Sequence, residues 1–434
     1  MTGSPLPRRI AILAGGGSLP QEIAYRLKAR GDHVHILAIN GAAEIKDDAT
    51  LQTSVDFAQI GKILSVLKND KLTEMLIIGS VKRPDLANIK PDLGFFRAVP
   101  TVIRLIRAGG DDAVLRGVIA FFEKHGVRIV GPADVVPELL VSSGPLGRHG
   151  ADSRQKLDIA KGLAVIRRLA PFDVGQGVVV AQGVVLAVEG AEGTDRMLQR
   201  LVARRANQNY LECGVLTKGP KPGQEMRIDL PTIGPNTVHN VQAAGLSGIA
   251  VAVGCTLTAE RDDLRNTADA AGVYVEGVAL GELQKRAKAD RVTLDLQVFG
   301  RRRASATQRS DCIKGGGVLT VLAQEGVAAA ATVVHRAHVL AIETGEGIDQ
   351  ILLRSGDLRQ WGRGVWMRNA GVTVLADSRD LDATLLARAA ETGLAGIAVM
   401  LGDSTLAIER KVIEEADKRG LFIAGLTWGQ GEPG

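Results

Sequence analysis

Several turns in this chain gather the residue types that hold a phosphate or a sugar hydroxyl. Gly15-Gly16-Gly17-Ser18 lies between a short apolar run, Arg9 to Ala14, and a helical pattern reaching Ala29. A glycine turn that opens a helix aims free N–H groups and the helix dipole at one point, and anions bind there. Ser18 is suited to cap that helix, and Pro20 stands in its first turn, where a missing N–H costs little. Gly79-Ser80-Val81-Lys82-Arg83-Pro84 places two adjacent cations after the apolar run that starts at Met75. Ligands of open α/β sheets bind beyond strand carboxyl ends, so Lys82 and Arg83 are candidates for pyrophosphate contacts. Gly109-Gly110-Asp111-Asp112 precedes a helix, where the aspartates suit N-capping. Glu189-Gly190-Ala191-Glu192-Gly193-Thr194-Asp195 offers more carboxylates than one helix cap needs. It reads as a loop that binds hydroxyls or a metal.

One further stretch, GVLTKGPKPGQEMRIDLPTIGPNT from Gly214 to Thr237, carries Lys218, Lys221 and the apolar-flanked Asp229. Its density of proline and glycine and its lack of a sustained period predict a shaped loop without regular structure. Met226, Ile228, Leu230 and Ile233 are too apolar for a floppy linker. Taken alone, a structural and a functional role are equally open for it.

These turns must be positioned by a large scaffold. The chain has 434 residues, 45% hydrophobic and 23% charged, with a net charge of +5 and no long basic block. That length calls for two to three domains. The mild charge argues against a nucleic-acid partner and suits an anionic small molecule or an acidic membrane surface. Cys213, Cys255 and Cys312 are widely spaced and read as free thiols of a cytoplasmic protein. No signal-peptide pattern and no long apolar span is expected. Up to about residue 140, short apolar runs alternate with helical patterns, which predicts a parallel sheet covered on both faces. A dinucleotide fingerprint is disfavoured, because Pro20 replaces the required glycine and the second strand ends in Ile39-Asn40 without an acidic residue. The segment from 150 to 285 is again mixed α/β, with a hairpin turning at Gln182-Gly183.

The remainder repeats that second segment. VLAVEGAEGTDRML (185–198) and VLAIETGEGIDQIL (339–352) share 8 of 14 residues, and GLSGIAVAVG (245–254) and GLAGIAVMLG (393–402) share 7 of 10. Glu189 is matched by Glu343 and Asp195 by Asp349; Asp377 falls opposite Asp229. The KGPKPG and LPTIGPNT pieces are absent from the copy, whose first helix is expected to be degraded within 290–316. Self-similarity in constant order indicates a duplicated domain. A copy that dispenses with the loop makes a functional role for that loop the better reading.

AGGGSLP (14–20), GSVKRPDL (79–86), GGDDAVLRG (109–117), VLAVEGAEGTDRML (185–198) and TKGPKPGQEMRIDLPTIGPNT (217–237) occur here in order. In these pieces the chain resembles the UDP-2,3-diacylglucosamine pyrophosphatases of the LpxI type. The resemblance implies a Rossmann-like parallel-sheet N-terminal domain (1–140), a mixed α/β catalytic domain (150–285) and, here, a degenerate duplicate of the latter (290–434). It implies hydrolysis of UDP-2,3-diacylglucosamine to UMP and 2,3-diacylglucosamine 1-phosphate in lipid A biosynthesis, with attack at the β-phosphorus. It implies dependence on Mg²⁺ and an essential aspartate in RIDLP, hence Asp229 as base or metal ligand. Lys218, Lys221, Lys82 and Arg83 are then expected at the phosphates. Asp111, Asp112, Glu189, Thr194 and Asp195 are expected at sugar hydroxyls or metal-bound water. Peripheral contact with the inner membrane and a homodimer are compatible partners. The rivals are a non-catalytic nucleotide-sugar binding protein and a nicotinamide oxidoreductase, the latter disfavoured by Pro20 and the missing ribose acid.

Overall fold

The computed structural model describes residues 7–43, 45–46, 50–56, 58–80, 92, 111–205, 213–221, 224–280, 292–360, 370–402 and 408–429. Asp111 and Asp112 are described as helix backbone only. The fold is α/β throughout, as the alternation of patterns predicts.

The first sheet has strand order β3-β2-β1-β4-β5, formed by Arg9–Ala14 (β1), His33–Ile39 (β2), Leu51–Val55 (β3), Glu74–Ile78 (β4) and Arg128–Val130 (β5). All four pairings are parallel. Successive strand residues face opposite sides, so each strand feeds two cores. Ile10, Ile12 and Ile36 pack with Ile23 and Leu27 of helix α1 (Leu19–Ala29). Ala11, Leu37 and Met75 pack with Ile63 and Leu67 of α2 (Ile60–Asn69) and Ile119 and Phe122 of α3 (Asp111–Lys124). The order reverses between β1 and β4, where such sheets open a crevice for ligands. A short helix, α4 (Pro132–Val135), leads out of this sheet.

The second sheet runs β6-β13-β11-β9-β7-β8. Its parallel strands are Val215–Lys218 (β9), Gly248–Ala252 (β11) and Tyr274–Val278 (β13), edged by Gly144–Pro145 (β6). Gly177–Ala181 (β7) and Val184–Val188 (β8) form the expected hairpin. Its turn residues Gln182 and Gly183 have φ of 51° and 77°, as a two-residue primed turn requires. The Asp158 carboxylate, from helix α5 (Ser153–Leu169), accepts both turn amides at 2.9 and 2.6 Å. Helix α6 (Thr194–Arg205) follows the hairpin. A two-stranded pairing of Thr232–Ile233 (β10) and Leu257–Thr258 (β12) flanks α7 (Pro235–Ala243), and α8 (Arg261–Ala271) precedes β13.

The third sheet repeats that plan as β14-β19-β18-β17-β15-β16: Leu294–Phe299, Phe422–Trp428, Gly396–Gly402, Val372–Leu375, Ala331–His335 and His338–Ile342. Helices α9 (Ala306–Gln324), α10 (Ile348–Gln360), α11 (Ala383–Glu391) and α12 (Arg410–Arg419) accompany it. Here Asp311 accepts the turn amides of Arg336 and Ala337 at 2.8 and 2.7 Å, repeating the role of Asp158.

Two expectations are corrected. The copy's first helix is not degraded: α9 has 19 residues, against 17 in α5, and the same kind of capping box, Ser305 with Gln308 against Asp152 with Gln155. Its glycine run sits inside the helix because the helix lies close to its neighbours. A Cβ on Gly315 would come 2.6 Å from Val374, and one on Gly317 2.5 Å from the Phe172 ring. The stretch from Gly214 to Thr237 is likewise not all loop. Val215–Lys218 is a buried central strand, and α7 starts at Pro235. Among the described residues the irregular part lies at 219–221 and 224–234, interrupted by β10; its counterpart in the copy is only Ala376 to Asp382.

Candidate active site

At the switch point of the first sheet, the backbones of two strand exits meet. Gly15 N donates to Ile78 O (2.8 Å), Gly16 N to Ser80 O (2.7 Å) and Ser80 N to Gly16 O (2.8 Å). A Cβ on Gly15 would lie 2.5 Å from Ser80 O, so only glycine allows this approach. Gly17, at φ +100°, then turns the chain into α1. Ser18 holds the N-cap position, but its side chain makes no capping hydrogen bond, contrary to expectation. Among the described residues the amides of Gly17 and Ser18 have no acceptor. They are what this turn can present to a phosphate. Lys82 and Arg83 lie outside the described residues, as do the side chains of Asp111 and Asp112.

The carboxyl end of the second sheet holds the other group. Lys218, the last residue of β9, stands opposite Gly177, the first of β7. Glu189, just past β8, donates its amide to Gly177 O at 2.9 Å. A Cβ on Gly177 would meet Glu189 Oε2 at 2.5 Å; the missing side chain makes room for the carboxylate. Glu189 keeps some exposed surface as a residue, yet its carboxyl lies deep. Burial pushes that carboxyl above its ordinary range, against the opposing pull of Lys218 and of the Thr194 hydroxyl, which donates to it at 2.9 Å. The Lys218 ammonium is buried and donates to Thr232 O at 3.2 Å.

Asp229 joins this group through two carboxamides. Gln176, directly before β7, donates to its Oδ2 at 3.2 Å, and Gln224 donates to the same oxygen and to Asp229 O. Gln224 also accepts from Lys221 N at 2.8 Å, while the Lys221 ammonium pairs with Asp173. The segment is anchored on the first sheet. Ile228 packs into one of that sheet's cores and Leu230 into the other. Arg227 pairs with Glu123 at 2.9 Å, and its Cα lies where a Cβ on Gly131 would approach to 3.1 Å. Asp229 is therefore held between the two sheets, at the end of the first that also carries the Gly15 turn.

Asp195 does not join the cluster: it accepts from Asn240 of α7 at 3.0 Å and ties two helices together. Gln176, Gln224 and Asp173 are partners that sequence reading missed. A lone glutamine carries no pattern, and the left-handed backbone of Asp173, φ 54°, shows only in the fold. Among the described residues no group of three or more His, Cys, Asp or Glu side chains could cage a metal. The donor set still fits magnesium, which takes one or two carboxylates and completes its shell with water and substrate phosphate.

Comparison with known proteins decides the family. The model of the LpxI N-terminal domain matches residues 9–139, and that of the LpxI C-terminal domain matches twice, at 142–276 and 296–424. The chain belongs to the LpxI family. The double match agrees with the repeated sheet, so this LpxI member carries a duplicated second domain. The UDP-2,3-diacylglucosamine pyrophosphatase LpxI of Caulobacter vibrioides is 38% identical over 277 residues, which is 62% of this chain and 98% of the relative. That relative is thus too short to hold the repeat as well.

Proposed function

We propose that this chain hydrolyses UDP-2,3-diacylglucosamine to UMP and 2,3-diacylglucosamine 1-phosphate, a step in lipid A biosynthesis. Membership of the LpxI family and the named relative support the reaction. The observation that supports the site is the hydrogen bond to Asp229 from Gln176, the residue before Gly177, at the strand end that carries Lys218 and Glu189. Water adds to the β-phosphorus, the bond from that phosphorus to the bridging oxygen breaks, and UMP leaves with the bridging oxygen. A pyrophosphate in this place needs its charge neutralised in a partly dry setting, where fixed cations act most strongly. Lys218 and Lys221 supply two, the second by exchanging Asp173 for phosphate. Asp229 would hold a magnesium ion, which when bound supplies further charge neutralisation. The two glutamines fix the carboxylate's direction, and Glu189 with Thr194 faces the sugar end. The non-catalytic alternative gains no support from a site that keeps its carboxylate and both lysines.

The substrate carries two acyl chains. No described helix is long and apolar enough to cross a membrane; peripheral access to the acylated substrate at the inner membrane is part of the proposal. The test is an assay with UDP-2,3-diacylglucosamine, with and without Mg²⁺, followed by phosphorus NMR. Appearance of UMP and the sugar 1-phosphate only with the cation is the expected result. Tight binding without UMP release in either condition would leave a binding protein. In ¹⁸O-water the label should enter the sugar phosphate; label in UMP would place attack at the α-phosphorus instead.

A further inference from the structure

Where the second domain meets its repeat, equivalent residues face one another crosswise. Arg200 pairs with Glu192 at 2.6 Å and with Glu346 of the repeat at 3.0 Å. Arg354 pairs with Glu346 and with Glu192 at 3.1 Å. At the offset of 154 that aligns VLAVEGAEGTDRML with VLAIETGEGIDQIL, Glu192 is matched by Glu346 and, eight residues further on, Arg200 by Arg354. Each arginine thus bridges its own glutamate and the copy's, in a square whose glutamates are almost fully buried. The equivalent carbonyls of Leu186 and Leu340 also each accept across the junction, though from donors that are not equivalent. Leu186 O accepts from Thr344 Oγ1 at 3.1 Å, and Leu340 O, its equivalent, accepts from Ala191 N at 3.2 Å. The helices obey the same rule: Val165, Ile166 and Leu169 of α5 share one core with Val318, Leu319 and Leu322 of α9.

Residue i on j together with j on i is the signature of an isologous, two-fold interface. Two domains of different descent joined by a linker have no reason to show it. We infer that the repeat is a built-in partner. It occupies in cis the face through which one copy of the second domain would pair with a second copy of itself, so the chain is a pseudo-dimer with a single site. The homodimer compatible with the sequence is then unnecessary through this face. The inference concerns assembly and stands whatever the substrate proves to be.

The experiment uses the full chain. Reversing only the repeat's half of the square, with Glu346→Arg and Arg354→Glu, sets Arg against Arg200 and Glu against Glu192. Like-charge juxtaposition of buried groups rejects a partner, while the second domain's own face stays self-complementary. In sedimentation at micromolar concentration the parent should have the mass of one chain and the variant twice that mass, joined through the released faces. Adding Glu192→Arg and Arg200→Glu should restore the attraction in cis, and with it the single-chain mass and the parent's melting temperature. If the double variant does not fold, recovery of folding in the quadruple variant supports the pseudo-dimer and failure to recover overturns it. A double variant that remains one chain with unchanged melting also overturns it.

Discussion

At the end of β9 stands Lys218, opposite Gly177; at the same register of β17 stands Leu375, opposite Ala331. Beside the first pair lies Glu189 and beside the second Glu343, each donating its amide to the strand before it. The surroundings of the two carboxylates differ. Gly177 leaves space over its Cα, and the Glu189 carboxylate enters it next to Lys218. Ala331 has a methyl group there, and Glu343 instead accepts from Gly345 N (2.6 Å), Gly347 N (2.9 Å) and Ala330 N (3.2 Å). In the repeat the carboxylate serves the loop; in the second domain it is left desolvated beside a cation. Strain or cost that one copy of a fold avoids and the other retains marks where function sits.

The loops that follow enlarge the contrast. Asp377 is half-exposed, caps a short helical turn through Arg379 N at 2.8 Å and pairs with the Arg379 side chain. It has the sequence place of Asp229 and none of its neighbours. Asp229→Ala should therefore abolish UMP release, a loss of about 10³-fold or more for an essential base or metal ligand. Asp377→Ala should leave turnover unchanged. Side-by-side assays of the two variants at saturating substrate check this, and equal effects would remove the distinction between the copies.

Lys218→Leu installs the repeat's residue in the second domain. The fold accommodates leucine at this register in β17, so the variant should remain folded. Turnover should drop by about 10²- to 10³-fold if the ammonium stabilises charge on the reacting phosphate. Retained turnover would assign Lys218 to holding Thr232 O alone.

Much of this architecture is legible in the sequence, for identifiable reasons. Apolar runs alternating with helical patterns announce the parallel sheet, Gln182-Gly183 announces the hairpin, and matched segments announce the duplication. Four-residue β9 is not legible, because its run is short and proline and glycine follow at once. The equivalence of Lys218 with Leu375 is hidden too. The hairpin anchors match at an offset of 154 and the β11 anchors at 148. Register places Val215 opposite Val180 and Val372 opposite Val334, an offset of 157 between the two strands. A short gain before the strand and a larger loss after it partly cancel, so the net difference understates the missing loop. Gln176 and Gln224 are invisible because their role exists only once Asp229 is folded between them.

Glu343→Gln should destabilise the repeat. Replacing a carboxylate that accepts from backbone amides removes charge-assisted hydrogen bonds worth roughly 1.5–3 kcal/mol. Denaturant unfolding of the full chain should show this as an earlier loss of the third sheet, and an unchanged transition would mean the amides are satisfied without the charge.

Glu189→Gln should act in the opposite direction, and weakly. Because burial raises the Glu189 carboxyl above its ordinary value of 4.5, the folded state binds this proton more tightly than the unfolded chain does. Its contribution to stability is thus complete below 4.5 and falls as pH rises towards the folded value. Glutamine keeps the shape without the charge, so the ligand-free variant should match the parent in acid and gain on it as pH is raised. Melting curves across that range check the sign. A variant that instead loses stability with rising pH would show that Lys218 outweighs desolvation, making the pair an ordinary ion pair like those of the repeat.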